Sequence, residues 1–168
     1  MTTGTRARLV VAYFRHRQGL YSLALSITHC KYLAEDVLQE AFARVWTRED
    51  VDVKGVPAYL FAAVRNAAID QVRKRRPLDS SLMPADSMYD VTLEDPAQEA
   101  AEAELRRLAA KIVEGLPDEE REVIVMRVHG GLSFLQISEA LGMPVSTVAH
   151  HYHRTLAKIR SQLEGGSG

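Results

Sequence analysis

The chain has 168 residues, enough for one ordinary domain or two small ones, and 46% of them are apolar, which supports a buried core. No stretch approaches the roughly 18 apolar residues that a membrane-spanning helix needs, and the N-terminal residues lack the apolar run of a signal peptide. Cys30 is the only cysteine, which excludes an intrachain disulfide and a cysteine zinc cluster. These features predict a soluble protein of a reducing compartment, without membrane insertion.

The net charge of −1 conceals a strong asymmetry along the chain. Residues 1–76 carry a net charge of +6, residues 77–116 a net charge of −6, and residues 117–168 a net charge of −1. A basic first part, an acidic middle and a nearly neutral last part favour separate modules with separate partners.

The first predicted helices lie between residues 20 and 46, where apolar residues recur at helical spacing. In AEDVLQEAFARVW, residues 34–46, one face is apolar and the other carries Asp36, Gln39 and Glu40. Such a polar face is typical of any solvated amphipathic helix, but carboxylates and an amide also suit a basic partner.

A charged loop at residues 48–56 precedes the next predicted helix. Pro57 suits the first turn of that helix, whose sequence AYLFAAVRNAAIDQVRKRR ends in a basic cluster at residues 73–76. Basic side chains there could meet phosphate, or could simply cap a solvated helix end. The candidate nucleic-acid contacts on this helix are Arg65, Asn66, Arg73, Lys74, Arg75 and Arg76.

Residues 77–99 contain three prolines with little periodicity, which predicts a flexible acidic linker. Helical patterns resume from residue 100, and Pro117 with three acidic residues marks a helix start. Ser133 and Gln136 form a capping-box pattern, and Gly142 makes a turn into a longer helix. Two short helices joined in this way predict a helix-turn-helix.

These patterns predict an all-α fold with two small helical domains on a flexible acidic linker. The predicted divisions are 1–76 for the first domain, 77–99 for the linker, 100–164 for the helix-turn-helix domain, and 165–168 for a flexible tail or cloning remnant.

The order of these pieces resembles an RNA polymerase sigma factor of the extracytoplasmic-function (ECF) group. The resemblance is carried by AEDVLQEAFARVW and AYLFAAVRNAAIDQVRKRR in the first domain, and by LPDEEREVIVMRVHGGLSFLQISEALGMPVSTV in the second. It covers most of the chain, about residues 15–76 and 100–163. The chain departs from the family at Tyr59, where a tryptophan is usual.

The resemblance implies a transcription initiation factor with two DNA-binding regions. In the family, the face that carries Asp36, Gln39 and Glu40 here docks on the β′ clamp helices of core RNA polymerase, and the β subunit is a second contact. The loop at 48–56 and the helix after it approach the minus-ten element, where the loop captures a flipped base. The second domain implies binding of the minus-thirty-five element. Further expectations are an anti-sigma partner, a bacterial cytoplasmic location at the nucleoid when active, and no cofactor.

The last helix contains the stretch TVAHHYHRTLAKIR, with three histidines in four positions. Counted in 100° steps, Val148, Tyr152 and Leu156 face the core. The predicted recognition-helix contacts on the outward side are Ser146, Thr147, His150, His151, Arg154 and Lys158. Family members often carry Lys, Ser and Arg where this chain has Ala149 and two histidines.

Two other functions compete with an initiation factor. A helix-turn-helix regulator that acts without polymerase would explain residues 117–163 but not the pattern at 34–76. A metalloprotein or enzyme built on His150, His151 and His153 lacks the three or four convergent ligands that zinc requires. A pH switch based on these histidines is a further alternative. The sequence contains no Walker-type loop and no nucleophile elbow, which argues against an enzyme.

Overall fold

A computed structural model describes residues 3–49, 55–75 and 96–165, with the side chains of 96–99 excepted. These ranges contain seven α-helices and no strand, as the all-α prediction requires. The helices are α1 Thr3–Thr28, α2 Lys31–Thr47, α3 Val56–Arg75, α4 Pro96–Glu114, α5 Asp118–Val128, α6 Phe134–Leu141 and α7 Val145–Gly165.

Helices α1, α2 and α3 pack against one another as a three-helix bundle. Each contributes an apolar face at helical spacing, with fully buried side chains such as Leu23 of α1, Val37 of α2 and Phe61 of α3. The predicted helix near residue 20 is the C-terminal half of a much longer α1. Its N-terminal half has alternating basic and apolar residues, which weakened the periodic signal.

Helices α5, α6 and α7 form the second unit, with α4 packed against α7. The predicted capping box is confirmed: the Gln136 backbone N–H donates to Ser133 Oγ at 3.1 Å, and the Ser133 backbone N–H donates to Gln136 Oε1 at 2.9 Å. Gly142 ends α6 in the left-handed region, with φ of 67°. The helix-turn-helix prediction therefore matches the observed α6–turn–α7 arrangement.

The two helical units are in direct contact, because α3 packs against α6 and α1 packs against α5. Their buried apolar side chains form one continuous cluster, from Leu9 of α1 to Val148 of α7. The sequence predicted two units on a linker, and the structure adds an interface between them. This interface rests on a close approach of Gly19 in α1 to Gly130 after α5.

The predicted segment boundaries correspond only in part to helix ends. Helix α4 begins at Pro96, within the range predicted as linker, and α7 extends to Gly165. Residues 77–95 of that linker and residues 166–168 of the predicted tail lie outside the described residues. Within the described ranges, no helix combines the length and the apolar character needed to cross a bilayer.

Candidate functional site

The polar face of α2 is open to solvent at two of its three predicted positions. Asp36 and Gln39 are exposed. Glu40 is partly buried and accepts bonds from Arg44, one helical turn away, and from Gln71 Nε2 of α3 at 3.3 Å. Asp36 and Gln39 are therefore available to a partner, while Glu40 ties α2 to α3.

The basic end of α3 is exposed at Arg73, Lys74 and Arg75. The fourth predicted member of this cluster, Arg76, lies outside the described residues. Arg65 is in a different setting, because its Nε donates to Glu122 Oε2 of α5 at 2.8 Å. The structure therefore separates Arg65 from the solvent-facing basic cluster.

A cavity of about 240 Å³ lies between the end of α2 and the first turns of α3. Arg48 Nη1 donates to the Tyr59 hydroxyl at 2.6 Å, and its guanidinium lies 6.0 Å from the centre of the Tyr59 ring. The lining residues are Arg44, Val45, Arg48, Tyr59, Ala62, Ala63 and Asn66. The cavity thus offers an aromatic ring, an amide and two guanidinium groups, and the sequence alone did not indicate it. Residues 50–54 of the predicted base-capturing loop lie outside the described residues.

The N-terminal turns of α7 present a polar surface. Ser146 and His150 are exposed, and Thr147 is half-buried. Val148 is fully buried, and Tyr152 and Leu156 pack against the core as the helical count predicts. Thr155 is also fully buried, which that count did not anticipate.

The other three predicted contacts on α7 are engaged by the acidic first turn of α5. His151 Nε2 lies 3.5 Å from Glu119 Oε2. Glu120 accepts from Lys158 Nζ at 2.7 Å, and its other oxygen lies 3.7 Å from Arg154 Nε. Glu120 is only 5% exposed, so these charges are paired in a partly desolvated setting. Arg154 and Lys158 of α7 are thus paired with a carboxylate of the same chain.

Two titratable groups near the contact between the units have shifted pKa values. Burial raises the pKa of Glu122 above its ordinary value, although the hydrogen bond and charge of Arg65 act in the opposite direction. Burial also lowers the pKa of His129, which disfavours its protonated form. Both groups belong to α5 or its C-cap.

The histidines of α7 do not converge with other potential metal ligands. The rings of His150 and His151 are 6.3 Å apart, and His153 is exposed with its ring against Phe134. Across residues 3–49, 55–75 and 96–165, no three His, Cys, Asp or Glu side chains are grouped so that they could hold a metal ion.

Sequence reasoning missed the pairing roles of three glutamates in α5. Glu119 and Glu120 were interpreted only as acidic residues at a helix start, and Glu122 was given no role. Only Glu122 could have been recognised from the sequence. It directly precedes the apolar run VIVM, so packing of that run would bury its carboxylate. Its partner Arg65 is 57 residues away in the chain, so no local pattern identifies the pair.

Comparison with protein families matches both helical units. The Sigma-70 region 2 model covers residues 12–77, and the Sigma-70 region 4 model covers residues 106–159. The chain is 30% identical over 158 residues to the ECF RNA polymerase sigma factor SigW of Bacillus subtilis, covering 88% of this chain and 84% of that protein. It is 31% identical over 161 residues to the ECF RNA polymerase sigma factor SigL of Mycobacterium tuberculosis, covering 90% of this chain and 86% of that protein.

Among solved structures, the chain is similar to CnrH in its complex with the cytosolic domain of CnrY. That similarity has a TM-score of 0.64 at 25% sequence identity and covers 95% of this chain and 97% of the other. The fold is also shared with the sigma factor RpoE of Bartonella quintana, solved in complex with the anti-sigma factor NepR. There the TM-score is 0.66 at 20% identity, with 97% of this chain and 98% of the other covered.

Proposed function

The chain belongs to the extracytoplasmic-function group of RNA polymerase sigma factors, which initiate transcription, and from this premise we propose how its own residues serve that role. In this proposal it directs core RNA polymerase to a two-part promoter and helps to open the DNA, while the polymerase performs the chemistry. It would act in the bacterial cytoplasm, at the nucleoid when active. The observation that carries the proposal is the cavity between α2 and α3, on the same helix as the exposed basic cluster at the end of α3.

The exposed face of α2 is the proposed docking surface for the β′ clamp helices. Asp36 and Gln39 are free to accept and donate hydrogen bonds to arginine and lysine side chains of a partner. Glu40 adds negative charge to this face, although its bonds to Arg44 and Gln71 limit its reach. A second contact, with the β subunit, is proposed from the family resemblance.

The cavity is the proposed site for one unstacked base of the minus-ten element. A planar base can stack on the Tyr59 ring, while the Asn66 amide can donate to and accept from the base edge. Removing a base from the stack costs a few kcal/mol, which contacts of this kind offset. Arg73, Lys74 and Arg75, with Arg76 beyond the described range, would bind the neighbouring phosphates.

Helix α7 is the proposed reader of the minus-thirty-five element. Ser146, Thr147 and His150 lie in its first two turns, the part of a recognition helix that reaches base edges. His151, Arg154 and Lys158 would contribute once they exchange the carboxylates of α5 for phosphate. The histidines offer hydrogen bonds at base edges without a permanent charge.

An anti-sigma protein is the proposed regulatory partner. The family resemblance supports such a partner, and a protein of the same fold, RpoE of Bartonella quintana, has been solved in complex with an anti-sigma factor. The same surfaces that serve polymerase and DNA would be the ones covered.

The test reconstitutes the chain with core polymerase and a promoter selected by that holoenzyme. Asp36→Arg reverses a charge on the docking face and should weaken core binding at least tenfold, about 1.4 kcal/mol. Glu104→Arg, a charge reversal at an exposed position of α4, is the matched control and should leave core binding unchanged. A chain that binds duplex operator DNA alone and never associates with core polymerase would instead be an ordinary helix-turn-helix regulator.

The same assay separates base recognition from phosphate binding. Asn66→Ala should relax selectivity at one promoter position by about 1–3 kcal/mol, because it removes a base-edge contact. Arg75→Ala should weaken binding equally for all sequences and reduce the salt slope by about one. If Asn66→Ala behaves like Arg75→Ala, the cavity does not read a base.

A further inference from the structure

The polar groups that line the cavity between α2 and α3 are mostly hydrogen-bond donors. Two of them are the guanidinium groups of Arg44 and Arg48, which have no acceptor atom. The Tyr59 hydroxyl and the Asn66 amide can each donate and accept. None of the described lining residues has a carboxylate, so a group that binds there must supply most of the acceptors.

The bond between Arg48 and Tyr59 determines how the tyrosine hydroxyl acts. Arg48 Nη1 and the Tyr59 oxygen are 2.6 Å apart, and the guanidinium is the donor because it cannot accept. The hydroxyl oxygen is therefore the acceptor in this bond, and its own proton is left to donate elsewhere. Tyr59 thus presents a donor to a group that enters the cavity.

Arg48 is held at both its backbone and its side chain. Its backbone N–H donates to the Val45 carbonyl oxygen at 3.2 Å as the C-cap of α2, and its guanidinium is bonded to the tyrosine hydroxyl. A tryptophan at residue 59, usual in the family, could not hold the guanidinium in this way, because an indole has a donor and no acceptor. The tyrosine of this chain therefore gives Arg48 a fixed place at the cavity.

The second guanidinium of the cavity is less suited to select a ligand. Arg44 pairs with Glu40, one turn earlier in α2, and its side chain is 56% exposed. A ligand would have to compete with that carboxylate for Arg44, but it meets Arg48 and Tyr59 as an assembled pair of donors. The Arg48–Tyr59 pair is therefore the group that can discriminate between ligands.

The four DNA bases differ in how their acceptors are arranged. Cytosine has N3 and O2 side by side, and guanine has O6 and N7 side by side, which is the pattern that arginine binds with two hydrogen bonds. Adenine places a donor amine beside N1 and N7, and thymine places the N3–H donor between its two carbonyl oxygens. A donor of the base that faces a donor of the cavity leaves both unbonded, which is unfavourable.

We propose that the Arg48–Tyr59 pair selects the base that enters the cavity, taking cytosine or guanine in preference to adenine or thymine. The feature shared by the two selected bases is a pair of adjacent acceptor atoms. The Tyr59 ring stacks on any base and provides affinity, whereas Arg48 provides the selectivity. This inference rests on the proposed function, because it specifies the base for a cavity that is proposed there to hold one.

The test uses the full chain assembled with core polymerase, and forked promoter DNA whose minus-ten element is single-stranded. Each position of that element carries each of the four bases in turn, and fluorescence anisotropy gives the dissociation constants. Asn66→Ala identifies the position at the cavity as the one where it changes the base dependence. There, cytosine or guanine should bind about tenfold more tightly than adenine and thymine, a factor typical of one two-bond arginine contact.

Tyr59→Phe isolates the role of the hydroxyl. The change keeps a ring for stacking and removes the oxygen that holds Arg48, so the preference should fall from about tenfold to less than about threefold. Arg48→Gln should have the same effect. Tyr32→Phe, at an exposed position of α2 outside the cavity lining, should leave the preference unchanged. Arg73→Gln removes the same charge as Arg48→Gln from the exposed end of α3 and should weaken binding of all four bases equally.

Base analogues distinguish the two selected bases. 7-Deazaguanine lacks N7 and 3-deazacytosine lacks N3, so each retains only one of the two adjacent acceptors. The analogue of whichever base binds more tightly should bind about tenfold more weakly than its parent to the unsubstituted holoenzyme. With the Tyr59→Phe holoenzyme, analogue and parent should bind about equally.

Two results would overturn this selection. One is adenine bound as tightly as cytosine and guanine at the position that responds to Asn66→Ala, and the other is an undiminished preference in both Tyr59→Phe and Arg48→Gln. Either result leaves the cavity as the site of an unstacked base and refutes only the role of the pair. If Asn66→Ala changes the base dependence at no position, the proposed base site is refuted as well.

Discussion

Protonation of the His129 imidazole destabilises the folded chain. The backbone oxygen of His129 faces Gly19 across the contact between the units, and burial lowers the pKa of its imidazole. The folded chain therefore binds this proton less readily than the unfolded chain does. His129 thereby makes the stability of the fold depend on pH.

The pH dependence has a definite sign. Well above pH 6.5, the ordinary pKa of histidine, His129 is neutral in both the folded and unfolded states and has no effect on their balance. As the pH falls from 6.5 to the lowered folded pKa, the unfolded chain takes up the proton first, and the free energy of unfolding decreases. Replacing the imidazole in His129→Gln should flatten this decrease below pH 6.5. Urea denaturation of both proteins across this range measures the difference, and identical pH slopes would contradict it.

At the scale of elements, α5 connects the two proposed DNA-binding helices. Its first turn pairs with His151, Arg154 and Lys158 of α7, and Glu122 in its second turn pairs with Arg65 of α3. Carboxylates of this one short helix thus form ion pairs with Arg65 of α3 and with Arg154 and Lys158 of α7. In the proposed function, these groups would exchange the carboxylates for phosphate oxygens on binding DNA.

Glu120→Gln tests this exchange. The change releases Arg154 and Lys158 from one buried carboxylate, so the affinity for duplex DNA should rise about threefold to tenfold, and the salt slope should steepen by about 1–2. Glu119→Gln is the matched control, because Glu119 is more exposed and contacts only His151 among these groups. Filter-binding or fluorescence titrations at several salt concentrations provide the measurement. Weaker binding by Glu120→Gln would mean that Glu120 mainly positions α7.

Local chemistry made much of α5, α6 and α7 predictable. Proline and acidic residues indicated the start of α5, while Ser133 with Gln136 and then Gly142 gave both ends of α6. The buried spine of α7 followed from its period of 3.6 residues. These signals act within one or two turns, so the sequence reveals them without knowledge of the partner helix.

Contacts distant in sequence were not predictable in the same way. The cavity between α2 and α3 depends on the angle at which Arg48 meets Tyr59, and the ion pair of Arg65 depends on how the two units pack. The helical count on α7 placed His151, Arg154 and Lys158 outward, but it could not reveal that the acidic turn of α5 lies beside them. Such features follow from tertiary packing, which no period in the sequence encodes.

At the scale of the whole molecule, the two units share one apolar core. Buried side chains of α1–α3 and of α5–α7 belong to a single cluster, so neither unit can lose its structure without exposing part of the other. This arrangement couples the units more strongly than a linker would. Cooperative unfolding is the expected thermodynamic consequence.

Calorimetry tests this coupling directly. The unsubstituted chain should unfold in one transition, with equal calorimetric and van't Hoff enthalpies. Gly19→Ala should produce two overlapping transitions, because each unit then unfolds independently, whereas Gly4→Ala should retain one. Two resolved transitions in the unsubstituted chain would show that the shared core contributes little to cooperativity.

The single thiol of the chain reports local opening where α1 meets α2, which calorimetry does not isolate. Cys30 is only 4% exposed where α1 meets α2, and alkylation requires a thiolate that the reagent can reach. The rate of alkylation in the native protein therefore reports the free energy of local opening at that junction. Separation of the intact units would leave this rate low, whereas loosening of the first bundle would raise it. The alkylation rate of Cys30 thus measures the integrity of the α1–α3 bundle in the unsubstituted protein.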